Sequence, residues 1–186
     1  MKNLTLVSNV LGFAMLAGIA ATCSAQGRFP AKAEIEKMSE PQRQEAEKKA
    51  VSEAAKMPDK EMSESMPTGK PVRILEGMFR NSDFLHRGSG NAYVYRQPDG
   101  SNLVRLEKLN VTKGPDLYVY LTKHPDPDSS RQVKEGFLSL GKLKGNMGDQ
   151  NYPVPSGTKI EDYKSVVIYC QLFGVLFSPA ALVKAK

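Results

Sequence analysis

From Val72 onward the chain reads as short alternating apolar runs bounded by turn residues, and that texture confines it to an antiparallel β architecture. Residues 74–79 form a first short run. Residues 91–96 alternate, the Pro98-Asp99-Gly100 turn follows, and residues 103–109 return, so these two runs form a hairpin. After the Gly114-Pro115-Asp116 turn, Leu117, Val119 and Leu121 alternate with Tyr118, Tyr120 and Thr122 with the period of a strand. Residues 124–131 (HPDPDSSR) form a polar loop. Residues 137–143 are a further strand, a Gly-Asn-Met-Gly loop follows, and the proline-bounded residues 152–155 suit an edge strand. The longest apolar run, residues 165–177 (SVVIYCQLFGVLF), comes last, and Gly174 bends it into a final pairing through Phe177. Regularly spaced short strands give an all-β fold, an antiparallel β-sandwich or partly open barrel over residues 72–186.

The segment before this domain has a different character. Residues 26–71 contain Phe29 and no other aromatic residue, and their nine basic and nine acidic residues cancel. Ser39 with Gln42 three residues later is a capping box, and Pro41 is tolerated in a first turn. This predicts a helix over residues 40–56 with a face of Ala46, Ala50, Val51 and Ala54. Such small side chains bury little area, so the helix reads as part of a partly helical or disordered stalk, with residues 57–71 a disordered linker.

The first 25 residues read as an export signal. Lys2 supplies a positive start, residues 10–21 an apolar core too short for a comfortable membrane span, and Cys23 and Ala25 the small positions before a cut. The chain is therefore expected outside the cytoplasm, secreted, periplasmic or on the cell surface. A lipid anchor at Cys23 is a second reading, although Thr22 stands where a lipidation motif prefers a smaller residue. From Val72 onward 16 basic and 11 acidic residues leave a charge of +5, scattered rather than clustered, and no basic–aromatic pattern of a nucleic-acid module occurs.

Once a signal is removed, Cys170 is the lone thiol, and a lone cysteine in an exported domain is either a small buried hydrophobe or a working group. On a strand, Val166, Ile168, Cys170 and Leu172 share one apolar face, which points Cys170 into the core and makes it inert. His86, in the glycine-bearing segment FLHRGSG, is the second candidate, either an exposed loop residue or a partner for a thiolate, metal or haem. His124 lies in the polar loop. No C-x-x-C, H-E-x-x-H or C-x-x-C-H motif occurs, so no metal site is assigned. Copper is disfavoured because no His or Met follows Cys170, and Asp83, Asp116, Asp149 and Asp162 form no spaced pair with a nucleophile. The cofactor choice that remains is haem or none, and nothing marks the chain as a stand-alone enzyme.

The ordered set of these pieces resembles the DM-13 domain. His86 and Gly90 ahead of an alternating strand, Leu106-Glu107, Gly114-Pro115-Asp116-Leu117 with Val119-Tyr120-Leu121, the stretch LGKLKGNMGDQNY over residues 140–152, and Ser165 to Cys170 through Phe173 and Phe177 carry the likeness. Where the family typically has Trp before its cysteine, this chain has Tyr169. The resemblance implies an extracytoplasmic β-sandwich-like domain of a kind found beside haem-binding DOMON domains and membrane cytochromes. It implies a role in electron transfer through the cysteine, here Cys170, as a bare thiol or as a cofactor ligand with His86 as neighbour. The redox partner would be a separate protein or membrane cytochrome. The rival reading is a non-catalytic extracytoplasmic binding or surface-interaction module with Cys170 as a core residue.

Overall fold

A computed structural model describes residues 29–186; the expected export signal and the lipid anchor at Cys23 lie outside the described residues. Two short helices, α1 (Lys32–Lys37) and α2 (Glu40–Ala55), precede the strands β1 (Glu61–Ser63), β2 (Val72–Met78), β3 (Gly88–Arg96), β4 (Asn102–Val111) and β5 (Leu117–Thr122). A five-residue helix α3 (Ser130–Lys134) follows, then β6 (Phe137–Lys142), β7 (Met147–Pro153), a single 3-10 turn at Ile160–Asp162, β8 (Ser165–Cys170), β9 (Val175–Ala181) and β10 (Val183–Lys184). The strands make two sheets, ordered β1-β7-β4-β3-β2-β10 and β6-β5-β8-β9, and the sheets do not close into a barrel. The sandwich expected from the sequence is therefore the fold, and the β3–β4 and β8–β9 hairpins pair as the turn residues dictate.

Alternation decides what each face meets. Val94, Val104 and Leu106 of the larger sheet enclose a common core with Val119, Leu121, Val166, Ile168 and Phe177 of the smaller one. The smaller sheet is buried on its other face too. There Tyr120, Val133, Val167, Tyr169 and Leu176 form a second cluster, with Val133 supplied by α3. This explains why β8 is buried at all six positions and why the sequence carries so long an apolar run there.

Two expectations differ from the structure. The proline-bounded segment expected at an edge is an interior strand, and it starts inside the expected glycine loop: β7 lies between β1 and β4. Gly148, at φ +86°, allows this, since a Cβ there would collide with the Met62 carbonyl oxygen of β1. The segment expected as a stalk and free linker packs on the sandwich. Helix α2 forms over the expected residues, with the Ser39 amide donating to Gln42 Oε1 at 2.9 Å, but its Ala50 and Val51 join Ile35 of α1 in the main core. The linker pairs through β1 in parallel with β7 and is fixed by buried Arg105, whose guanidinium donates to the Glu64 carbonyl at 2.8 Å and to Asp149 Oδ2 at 2.9 Å. Small side chains hide these contacts from a hydrophobicity reading. Alanine buries little area, yet it permits close approach.

Candidate functional site

Cys170 closes β8, opposite Leu117 of β5 and Val175 of β9, with its side chain in the inter-sheet core. It is 1% exposed. After it, residues 171–174 turn the chain back into β9, and Gly174 at φ +72° ends the turn with an amide that donates to the Cys170 carbonyl at 2.9 Å. Burial pushes the Cys170 thiol up to about 11. The nearby backbone amides of Phe173, Leu172 and Asp116 pull the other way without outweighing burial, while the Asp116 carboxylate adds to the rise. At neutral pH only about one sulfur in ten thousand is a thiolate, so in this closed form the group is a protonated thiol. The Asp116 carboxylate is itself paired with Lys142, Oδ1 to Nζ at 3.2 Å.

His86 is a buried residue, not the exposed loop histidine that was one sequence reading. Asp83 shapes its loop: Oδ1 accepts from the amides of Leu85 (2.7 Å) and His86 (2.8 Å), leaving Oδ2 to meet the ring at Nδ1, 2.8 Å away. On the other side Nε2 lies 3.0 Å from Glu47 Oε1 of α2, in an oblique approach held by charge more than by a directed hydrogen bond. Phe177 packs on the ring with centroids 4.3 Å apart. Burial alone would lower the His86 pKa, but the Glu47 and Asp83 carboxylates outweigh it, and the net direction is upward. Burial likewise acts to raise Asp83, and its bonds to the His86 ring and to the His86 and Leu85 amides bring it below the ordinary carboxylate value. His86, held between the Glu47 and Asp83 carboxylates, thus ties α2 to the sandwich.

The ion pairs and ring contact of His86 go to Glu47, Asp83 and Phe177, and none of them goes to Cys170. Phe177 and Leu117 both border the Gly114 position, so the Phe177 ring extends from His86 toward the strand that faces Cys170. His124 is half-buried, with its Nδ1 accepting from the Asp126 amide.

These donors do not fit haem or copper at Cys170. Its sulfur is enclosed and protonated, and both His86 nitrogens are engaged by carboxylates. Among the described residues, no three His, Cys, Asp or Glu side chains are grouped to hold a metal ion.

Two features escaped the sequence reading. Glu47 is one of many Glu residues on a polar helix, and nothing local distinguishes it; the Asp83-x-x-His86 spacing was the available signal for the loop. The other feature is an aromatic ladder on the outer face of the smaller sheet. Phe137 stacks on Tyr120 at 4.7 Å, and Tyr120 stacks on Tyr169 at 5.2 Å, adjacent in sequence to Cys170 and on the opposite face. Cross-strand pairing of β5 with β6 and β8 produces it.

Comparison with known proteins adds one finding. A family model described as electron transfer DM13 matches residues 78–182, more than half of the chain. No curated protein and no solved structure matches.

Proposed function

The chain belongs to the electron transfer DM13 family, and on that premise we propose that it is an exported module that exchanges electrons with a separate redox protein through Cys170. The cofactor-ligand role does not fit the donor set, which leaves the bare thiol. With no second cysteine among the described residues, that thiol must react between molecules. The balanced step is thiol–disulfide exchange. The Cys170 sulfur, as thiolate, attacks one sulfur of a partner's disulfide. A bond forms between the two proteins, the partner's S–S bond breaks, and the leaving thiolate takes up the proton that Cys170 released. Cys170 is oxidised and the leaving sulfur is reduced.

The observation that carries this reading is that a chain matched by an electron-transfer family has Cys170 as its lone cysteine among the described residues, inside the matched region. At 1% exposure, reaction requires the covering layer to open. Helices α1 and α2 are the natural cover: they join the main core, and Ile35 and Arg43 lie beside Leu172 and Phe173 of the turn that follows Cys170. The family match begins at Met78, so this helical cover is an addition outside the matched region.

The test is reaction of the native full chain with dipyridyl disulfide. The reading expects one pyridinethione released per chain and a mixed disulfide at Cys170, both lost in Cys170→Ser. Reaction only after denaturation overturns it.

The same burial, with a thiol pushed up to about 11, favours the second reading, a surface-interaction module with Cys170 as a core residue. Cys170→Val separates the two: the module would keep partner binding, whereas the redox reading requires loss of all electron exchange.

A further inference from the structure

A cleft of about 380 Å³ lies between the helical cover and the outer face of the smaller sheet, within the range of small-molecule sites. One wall is the aromatic ladder. Phe137 is 47% exposed, so its outer ring face is free to receive another flat ring and extend the stack through Tyr120 to Tyr169.

The rest of its lining is cationic. Lys32, Arg43 and Lys134 border the cleft with Glu36 as the single carboxylate, a formal excess of positive charge, and no ion pair engages any of these cations among the described residues. Two buried polar atoms there lack hydrogen-bond partners, Arg43 Nε and the hydroxyl of Tyr169, a residue only 4% exposed. Ser130 is near enough to influence the Tyr169 hydroxyl but does not bond it in good geometry. Native proteins satisfy buried polar atoms, so orphaned donors beside unpaired cations mark a place built for an acceptor. The floor agrees. Gly174 lies where a Cβ would stand 3.6 Å from both Lys134 Nζ and the Tyr169 hydroxyl, so these two donors converge on one point.

We infer that this cleft binds a small planar aromatic anion, its ring stacked on Phe137 and its anionic group held by Arg43, Lys134 and the Tyr169 hydroxyl. The bound ring lies on the sheet face opposite to Cys170, so this role is independent of the thiol chemistry.

The probe is anthraquinone sulfonate, flat, anionic and redox-active, titrated into the full chain and followed by quenching of tyrosine emission. Saturable one-to-one binding is expected. A neutral hydroxymethyl anthraquinone should bind at least about tenfold more weakly, and Arg43→Ala, Lys134→Ala and Phe137→Ala should each weaken the sulfonate by roughly tenfold, the loss of one charge-assisted or stacking contact. These three side chains are not deeply buried, and unchanged circular dichroism of the variants confirms that they fold. Absence of saturable binding, equal affinity for the neutral analogue, or indifference to the Arg43 and Lys134 changes each overturns the inference. Cys170→Ser separates it from the thiol reading, because that variant should keep the binding and lose reaction with dipyridyl disulfide.

Discussion

Replacing Glu47 by Gln removes the buried half of the clamp that holds α2 on the sandwich. The His86 side chain is 5% exposed, Glu47 13% and Asp83 47%, so Glu47 is the partner whose interaction is least screened by water. Removing one member of a fully buried ion pair costs about 3–5 kcal/mol. Asp83 remains to compensate the imidazolium, and the substituted amide side chain still offers a carbonyl oxygen, so we expect about 2 kcal/mol here. Helix α2 buries only Ala50, Val51 and Ala54, small groups that cannot absorb that loss. Its opening equilibrium should rise by roughly thirtyfold. Native-state hydrogen exchange reads this directly: the α2 amides should lose protection in Glu47→Gln while the β4 and β8 amides keep theirs. The clamp also has a pH signature. A His86 pKa raised by folding contributes stability that is complete below its unfolded value of about 6.5 and disappears as pH rises through the folded value. Asp83, lowered by folding, contributes above its unfolded value of about 3.8 and is lost as pH falls through its folded value. Protection of α2 should therefore be greatest in mildly acidic solution and fall on the alkaline side. Unchanged α2 exchange in Glu47→Gln, or exchange that shows no such fall after correction for intrinsic rates, refutes the clamp.

Other consequences can be checked separately. Gly90 sits at φ +110° in the β3–β4 bulge, where a Cβ would stand 2.6 Å from the Lys108 carbonyl oxygen; Gly90→Ala should cost about 2 kcal/mol or more in urea unfolding. Arg105→Met leaves the Glu107 and Asp149 carboxylates without their guanidinium and should destabilise by about 3 kcal/mol, with β1 amides exposed first. Cys170→Ala opens a cavity in the main core and should cost about 1–2 kcal/mol by the same measurement. With its thiol pushed up to about 11, native Cys170 should react with iodoacetamide at least about tenfold faster per pH unit up to that value, the loosening of the His86 clamp adding to the rise.

Much of the strand plan was legible because alternation reports burial directly. The β3–β4 hairpin, the two faces of β5 and β8, and the inward direction of Cys170 all follow from period two, and the capping box at Ser39 and Gln42 set the start of α2. What the helix packs against was not legible. An Ala-rich face looks weak until a flat surface meets it, and Glu47 gains meaning only from a histidine 39 positions later. The β7 segment was hidden by its glycines, which serve close approach of β1 rather than a loop. The aromatic ladder was spread over three strands, with Tyr120, Phe137 and Tyr169 meeting only through pairing that single-strand patterns do not specify.

The most direct measurement is the rate at which Cys170 of the native full chain is captured by dipyridyl disulfide across increasing urea, set beside global unfolding of the same sample. If the helical cover is the gate, capture in dilute urea proceeds through an opening of smaller free energy and shallower urea dependence than global unfolding, and Glu47→Gln lowers that free energy by about 2 kcal/mol. Capture that follows the global transition in both midpoint and slope, unaffected by Glu47→Gln, would mean that the sulfur is reached only in the unfolded chain and serves as packing.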